Sequence, residues 1–164
     1  MAPVAGGATR GTLLHKLMEE VLSGETEDGL EVLVTRASEL VAQLSVAPSD
    51  QASAGISPHE LAQTIVRTLN IPEIAQLRPR LVPEHTIYGS QANDDDEIIV
   101  SGIADAVAYD AEGRIEIIVD WKSDVDIDTG QLTSYRGQLD AYRRQTGAPH
   151  AFLVLMTTGK LMAI

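Results

Sequence analysis

An aspartate and a lysine two residues apart could form a hydrolytic centre in the segment Ile118-Val-Asp-Trp-Lys-Ser123. Residues two apart in a strand point to the same face, so Asp120 and Lys122 project together. Asp105 lies on the preceding predicted strand, which can bring its carboxylate beside Asp120. Two carboxylates supply oxygen ligands of the kind that Mg²⁺ prefers, and a lysine can hold a water molecule beside them. Taken alone, Asp-x-Lys is more typical of an exposed cross-strand ion pair, which contributes little.

Two residues from other parts of the chain could extend such a centre. His15, four residues after Gly11, lies at the margin of the apolar stripe of a predicted helix, from which its ring can reach a cleft. A lone histidine at such a margin is more often structural. Glu84 lies in a predicted strand and is by itself an ordinary strand acid. Neither residue predicts a site without the others.

A third group lies on a predicted helix near the C-terminal end of the sequence. Tyr135, Gln138 and Tyr142 share a helical wedge of about 60°. Taken alone, this wedge is typical of core aromatic residues with a polar neighbour.

Helices predominate in the first half of the chain. Apolar residues recur at helical spacing in three stretches, which predicts helices over residues 13–22, 30–44 and 57–70. Ser57, Pro58 and Glu60 are typical of a helix start, with an N-cap, a proline at the first position and a capping-box acid. The composition of residues 47–55 predicts a loop.

The hydrophobic period changes in the second half. Strands are predicted over residues 81–88, 97–109 and 114–121, a helix over 131–146, and short strands over 151–156 and 160–164. Asp110 and Gly113 are typical of a hairpin turn between the second and third strands. Helices, a three-stranded meander, a helix and closing strands predict one α/β domain over residues 1–164, with helices against a mixed sheet.

Composition limits the class of protein. The chain has 164 residues and no cysteine, which excludes disulfides, thiolate zinc sites and iron–sulfur clusters. No apolar run approaches the roughly 18 residues of a membrane-spanning helix, so no membrane partner is expected. A cytoplasmic location is the default expectation. Residues 1–9 are expected to be a linker or the edge of a domain.

The formal net charge of −12 argues against nucleic-acid binding driven by charge alone. Residues 84–164 carry six basic and fourteen acidic side chains. If this half contacts DNA, bound cations must offset part of its acidity, and a local basic surface or a neighbouring domain must supply the rest.

Five short motifs occur in an order that resembles the RecB-like branch of the PD-(D/E)XK nuclease superfamily, especially the C-terminal nuclease domain of UvrD/AddA-type helicase–nucleases. The similarity covers residues 10–155, and the motifs are Gly11-x-x-x-His15, Glu84, Gly102-x-x-Asp105, Asp120-x-Lys122 and Tyr135-x-x-Gln138-x-x-x-Tyr142. The resemblance implies a restriction-endonuclease-like fold, with a mixed central sheet flanked by helices and a helical N-terminal half. It also implies a Mg²⁺-dependent deoxyribonuclease, with Mn²⁺ as a substitute, that works with a helicase domain in DNA repair or recombination. Exonuclease action is expected rather than endonuclease action.

The same resemblance implies a role for each motif residue. His15, Asp105 and Asp120 would be metal ligands, together with the backbone carbonyl of Trp121. Lys122 would orient or activate the attacking water. Such a cation would act as Lewis acid and water activator in phosphodiester hydrolysis.

The remaining motif residues would act around this centre. Gln138 and Tyr142 would position the DNA strand or the catalytic lysine, and Glu84 would support the site. The absence of cysteine means that the chain lacks the iron–sulfur cluster carried by some relatives. The helical insertion between the histidine and Glu84 matches no motif.

Other patterns predict no additional site. Asp124, Asp126 and Asp128 alternate as in a calcium loop, but Thr129 replaces the required glycine and Tyr135 the final glutamate. This segment is therefore interpreted as a solvated acidic loop, and residues 94–97 as an exposed turn. The other three histidines have no evident partner, namely His59, His85 and His150.

Two alternative functions stay open. One is an inactive module of the same fold that binds DNA or a partner protein, which the net charge of −12 favours. The other is an acidic metal-binding domain with no role in nucleic-acid chemistry. Intact Asp105, Asp120 and Lys122 argue against the inactive module.

Overall fold

The computed structural model describes residues 7–44, 55–90 and 98–164, with residues 88–90 and 98–101 described by their backbone only. The predicted loop at 47–55 and the predicted turn at 94–97 therefore lie almost wholly or wholly outside the described residues. Four helices come first: α1 (Ala8–Ser23), α2 (Leu30–Gln43), α3 (Pro58–Leu69) and α4 (Pro72–Leu77). A 3₁₀ turn at Arg78–Arg80 leads into the sheet.

Five strands and one further helix complete the described part of the chain. They are β1 (Val82–Ser90), β2 (Ile98–Tyr109), β3 (Ile115–Lys122), α5 (Thr129–Thr146), β4 (His150–Leu155) and β5 (Lys160–Ala163). The strands lie in chain order, and only β3 and β4 are parallel. Because parallel neighbours need a crossover, α5 connects them across one face of the sheet.

Helices cover both faces of the sheet. Helices α1 to α4 pack on one face, where Ile117, Val119 and Trp121 of β3 point into the larger of two apolar cores. Helix α5 packs on the other face against a second core that includes Ile118 and Leu153. This alternation along β3 is the two-residue period expected of a strand buried on both sides. A mixed α/β sheet flanked by helices, with a helical N-terminal half, is confirmed.

The start of α3 differs in one detail from the prediction. The Ser57 side chain accepts a hydrogen bond from the Glu60 amide at 3.2 Å, and Pro58 occupies the first turn. The Glu60 carboxylate does not return to Ser57, because it bonds the Arg10 guanidinium instead. A reciprocal capping box is present instead at the start of α5, between Asp128 and Gln131.

Helix α4 is an element that the sequence did not predict. The sequence predicts that the preceding helix ends near residue 70, whereas Pro72, two residues later, occupies the first turn of a new six-residue helix. Helix α5 also begins at Thr129, two residues before the predicted start. Among the described helices, none combines the length and apolar character needed to cross a membrane.

Candidate active site

The candidate site lies where β2 and β3 separate. Their pairing runs from Tyr109↔Ile115 to Ala106↔Val119 and ends there, so the next residues, Asp105 and Asp120, stand at the mouth of the gap. Strand β3 continues beyond this point, because it stays paired with β4 as far as Lys122↔Leu155. The end of β3 therefore projects the two residues of Asp-x-Lys beside a carboxylate from β2.

The two aspartates form a like-charged pair in which Asp120 is buried and Asp105 is half-buried. Their carboxyl groups are close enough that each shifts the pKa of the other. Burial, and then the negative charge of Asp105, raise the pKa of Asp120 to about 6. Burial alone would also raise the pKa of Asp105, but contacts with His15 outweigh it and hold that pKa below its usual range. One carboxylate is thus stabilised as an anion while its neighbour is not, which is the electrostatic setting of a site that takes a cation.

His15 reaches Asp105 from helix α1. Its Nε2 lies 3.5 Å from Asp105 Oδ2 and 3.0 Å from the Trp121 carbonyl oxygen. Its Nδ1 lies 2.8 Å from the Gly11 carbonyl oxygen. Burial would lower the pKa of His15, but Asp105 and the two carbonyl groups outweigh it and raise that pKa to about 9. In the metal-free protein His15 is therefore an imidazolium with both nitrogens donating.

Trp121 contributes its backbone rather than its ring. The indole packs in the larger core at 2% exposure. The Trp121 amide donates to Asp105 Oδ2 at 2.7 Å, and its carbonyl oxygen faces His15. A strand residue that points its side chain into the core presents its peptide groups sideways, here toward the gap that β2 has left.

Lys122 lies between the acidic pair and α5. Its Nζ is 3.0 Å from Asp120 Oδ2 and 4.3 Å from the centroid of the Tyr135 ring, in cation–π contact. The Tyr135 hydroxyl donates to Asp124. Burial would lower the pKa of Lys122, but Asp120 and the other neighbouring groups outweigh it and raise that pKa. Lys122 is therefore a proton-bearing group, fixed by an acid on one side and an aromatic ring on the other.

Gln138 and Tyr142 lie farther along α5 and do not contact the lysine. The Tyr142 ring is buried, and its hydroxyl oxygen accepts a hydrogen bond from Gln138 Nε2 at 3.2 Å. A Cβ at Gly102 would stand 1.9 Å from the Tyr142 hydroxyl oxygen, so the glycine is what lets the ring lie against β2. Tyr142 thus fixes α5 against β2, and it is Tyr135, two turns earlier, that contacts Lys122.

Glu84 lies at the level of Asp105 across the β1–β2 ladder. The ladder pairs Pro83 with Ala106 and His85 with Ala104, and Glu84 between them has a left-handed φ of 49°. Its side chain is exposed and lines a cavity of about 490 Å³ that also includes His15. Among the described side chains, Glu84 has no hydrogen bond or ion pair. The structure places it at the border of the site and not among the groups that meet at the gap.

A second cavity, of about 360 Å³, opens on the lysine. Its lining includes Lys122, Asp124 and Tyr135, and it shares His15 with the first cavity. The two cavities are therefore neighbours that meet at His15.

The arrangement supplies ligand groups without a finished metal site. Among the side chains that the structure describes, no three acids or histidines surround one point closely enough to hold a cation. The reason is visible at His15, whose Nε2 proton points at Asp105 and at the Trp121 carbonyl oxygen. A buried carboxylate, a half-buried carboxylate and the Trp121 carbonyl oxygen are nevertheless hard oxygen donors of the kind that Mg²⁺ prefers. His15 contacts that carbonyl oxygen, so a divalent ion would need the histidine to lose its proton first.

Two contacts were missed by sequence reasoning. Tyr135 was noted only as one residue of a helical wedge, and its contact with Lys122 depends on how α5 crosses the sheet. His85 was expected to lack a partner, whereas its Nδ1 lies 3.1 Å from the Tyr109 hydroxyl. The β1–β2 register pairs His85 with Ala104 and not with Tyr109, so no local signal gives this contact.

Comparison with known proteins gives one match. The family model described as the PD-(D/E)XK nuclease superfamily matches residues 2–148. A search of curated proteins gave no match. The family match covers α1 to α5 and therefore all of the residues that meet at the gap between β2 and β3.

Proposed function

The chain belongs to the PD-(D/E)XK nuclease superfamily, and on that premise we propose that it is a Mg²⁺-dependent deoxyribonuclease. Membership indicates a nuclease that uses divalent metal ions and acts on DNA, and the five-stranded sheet with flanking helices is the restriction-endonuclease-like fold. The finer proposal is an exonuclease that works with a helicase domain in DNA repair or recombination. It is supported by the order of motifs from His15 to Tyr142.

One observation carries the proposal: the buried carboxylate of Asp120 lies beside the half-buried carboxylate of Asp105, with a charged lysine against it. Asp120 keeps a raised pKa of about 6 even with Lys122 at 3.0 Å, because Asp105 and burial oppose its ionisation. Burying like charges together is costly, and a bound divalent cation removes that cost. The pair is therefore better explained by metal binding than by structural stabilisation.

Asp105, Asp120 and the Trp121 carbonyl oxygen would hold the ion, and His15 would join them through Nε2 after losing its proton. When bound, a divalent cation acts as a Lewis acid on the phosphodiester and lowers the pKa of a water molecule. Asp105 is already oriented for this role by the Trp121 amide at 2.7 Å.

Lys122 acts as a donor in this proposal. Because its pKa is raised, it keeps its proton at neutral pH and cannot serve as the general base. Its ammonium group would instead hold the attacking water and stabilise the negative charge that develops on the phosphoryl oxygens. Tyr135 and Asp120 fix the direction of that group from opposite sides.

Cleavage of linear DNA in Mg²⁺, compared with EDTA, tests the proposal directly. The decisive variant is Asp120→Asn, which removes one charge of the pair and keeps its shape. We expect cleavage to be abolished and the free energy of unfolding of the metal-free protein to be unchanged or higher, because like-charge repulsion is relieved. Asp140→Asn is the matched control, since Asp140 pairs with Arg143 and Arg144 on α5 and not with the acidic pair. Normal cleavage by the Asp120 variant would remove the basis of the proposal.

The net charge favours a second candidate, an inactive module that only binds DNA or a protein. The two candidates differ in how DNA binding depends on cations. A nuclease with this acidity should bind DNA poorly in EDTA and better in Ca²⁺, which can bridge carboxylates to phosphate. Fluorescence anisotropy at two salt concentrations distinguishes them, because binding through many lysines and arginines is tight without metal and falls steeply with salt. Tight binding in EDTA without cleavage in Mg²⁺ would favour the binding module.

A further inference from the structure

A buried arginine lies behind the candidate site. Arg10 is 2% exposed, and its five N–H groups all have acceptors. Nε and Nη2 donate to the Glu60 carboxylate at 3.1 and 2.7 Å, and Nη2 also approaches Thr64 Oγ1 at 3.5 Å. Nη1 donates to the Ser123 carbonyl oxygen at 2.7 Å and to Thr157 Oγ1 at 3.0 Å. One side chain on α1 therefore joins α3, the end of β3 and the turn after β4.

Fold stability alone gives a weak reason for this arrangement. Burying an arginine–glutamate pair costs desolvation energy that the attraction often only balances, and an apolar pair of similar size is often equally stable. What the apolar pair cannot do is fix the direction of a backbone group. Among the acceptors that Arg10 has beyond its acidic partner, the backbone group is the Ser123 carbonyl oxygen, directly after Lys122.

That carbonyl group lies where the sheet stops holding the chain. The last β3–β4 pair is Lys122↔Leu155, and the Met156 amide still donates to the Lys122 carbonyl oxygen at 2.9 Å. Beyond it, Ser123 has no strand partner, and its carbonyl oxygen receives the Arg10 bond and a second one from the Thr157 hydroxyl at 2.9 Å. The Arg10 and Thr157 side chains therefore fix the backbone that directly follows Lys122.

The same contact sets the height of α1 above β3. A Cβ on Gly11 would stand 2.8 Å from Ser123 Oγ, so the helix lies directly on this residue. His15 follows one turn later, and its Nε2 lies 3.0 Å from the Trp121 carbonyl oxygen. Arg10 and Gly11 together thus define how far the histidine stands from the acidic pair.

We propose that Arg10 is a positioning residue of the active site, which holds α1 and the end of β3 in the register that His15, Asp120 and Lys122 need. The inference rests on the proposed function for its effect on catalysis. Arg10 would touch neither substrate nor metal. It would act through the Ser123 carbonyl group and the helix that carries His15.

The test compares Arg10→Lys with Arg36→Lys in the full chain. Arg36 is the control, because it also makes a bidentate pair to a glutamate, Glu20, and joins α1 to α2 away from the gap. A lysine has three donors and cannot reproduce the five of Arg10. We expect both variants to lower the free energy of unfolding. Only Arg10→Lys should lower kcat for DNA cleavage, by about 10- to 100-fold with KM nearly unchanged, the range found when groups supporting metal ligands are removed.

A second measurement needs neither metal nor cleavage. Hydrogen exchange of the Trp121 amide in EDTA reports the bond to Asp105 at the end of β3. Arg10→Lys should speed this exchange by more than it speeds exchange of the Ile118 amide in the middle of β3, whereas Arg36→Lys should change both by the same factor. If wild-type protein cleaves no DNA in Mg²⁺ or Mn²⁺, the proposed function fails, and the exchange ratio still decides the positioning role.

Equal effects of the two arginine variants, on kcat and on the exchange ratio, would overturn the inference. If Arg10→Lys does not fold, Thr157→Val serves in its place, because it removes the hydroxyl that bonds both Arg10 and Ser123. Its control is Thr68→Val, a buried threonine whose hydroxyl bonds only the Thr64 carbonyl within α3. A selective loss at Thr157 supports the inference, and identical behaviour of the two threonine variants contradicts it.

Discussion

At the scale of single residues, the site depends on unequal surroundings for similar groups. Asp105 and Asp120 are neighbours, yet the pKa of one is lowered and that of the other is raised to about 6. The difference arises because His15 and the Trp121 amide stabilise the Asp105 anion, whereas burial and the charge of Asp105 oppose that of Asp120. Lys122 compensates only part of this cost. Because Lys122 and protonated His15 together balance the two carboxylates, a divalent ion would bind in exchange for the His15 proton.

The contact between Lys122 and Tyr135 predicts that kcat depends more on the Tyr135 ring than on its hydroxyl. Tyr135→Phe keeps the ring 4.3 Å from the ammonium group, and we expect little change in turnover. Tyr135→Leu removes the ring and should lower kcat about two- to five-fold, equivalent to about 0.5–1 kcal/mol of cation–π interaction. Steady-state cleavage assays measure both.

Tyr109→Leu is the control for this prediction, since it removes a ring that stacks edge-on against His85, away from the lysine. An equal loss of kcat in Tyr135→Phe and Tyr135→Leu would assign the effect to the hydroxyl and to Asp124. The cation–π account would then be wrong.

At the scale of elements, most of the fold could be predicted because hydrophobic period is a local property. The change from helical to strand period marks the change from α3 to β1, and the capping residues of α3 give its start. Helix α4 could not be predicted, since Pro72 is as typical of a helix start as of a helix stop. The contact of Tyr135 with Lys122 could not be predicted either, because the crossing of α5 over the sheet is set by packing.

The packing of α5 on β2 predicts opposite effects for two glycine substitutions. Gly102→Ala places a Cβ 1.9 Å from the Tyr142 hydroxyl oxygen, and the buried ring must move. We expect a loss of about 1–3 kcal/mol in the free energy of unfolding, as for other overpacked sites. Gly137 lies on α5 itself, and a Cβ there meets no atom within 4 Å. Gly137→Ala should therefore raise the free energy of unfolding by about 0.5–1 kcal/mol through helix propensity. Urea denaturation of both variants gives the comparison.

A lower free energy of unfolding in both glycine variants would mean that the cost arises for reasons unrelated to Tyr142. Adding Tyr142→Phe to Gly102→Ala removes the nearest atom and should recover part of the lost stability. No recovery would show that the backbone of β2, and not the ring, is the constraint.

At the scale of the whole molecule, stability and metal binding compete for the same atoms. Without metal, protonated His15 bridges α1 to Asp105 and to the Trp121 carbonyl group, so the histidine proton takes part in holding the two layers together. The described acids with lowered pKa, such as Glu20 and Asp28, contribute stability that is lost only at lower pH. Neutral to alkaline pH is therefore the window in which His15 dominates the change.

The pKa of His15 is raised from 6.5 to about 9, so its contribution is complete below pH 6.5 and is lost as pH rises through about 9. We expect the free energy of unfolding in EDTA to fall across this window. Asp120 acts in the same direction at lower pH, because its pKa is also raised, from 3.8 to about 6. Urea denaturation at several pH values measures the slope.

His15→Gln provides the comparison, since it removes the titrating group and should flatten the profile between pH 6.5 and about 9. Saturating Mg²⁺ should flatten the wild-type profile in the same window, because the ion replaces the proton. A wild-type profile that rises with pH in EDTA would show that His15 is not the imidazolium described above.

The contact of His15 with Trp121 joins residues 106 positions apart, whereas the bond from the Trp121 amide to Asp105 spans only 16. The acidic half of the site is thus local to one hairpin, and it can assemble as soon as β2 and β3 pair. The histidine half must wait for α1 to close a long loop, which costs more chain entropy and comes later in folding. An ion held by both halves stabilises contacts that form after the transition state, so it acts by slowing unfolding and leaves the rate of folding almost unchanged.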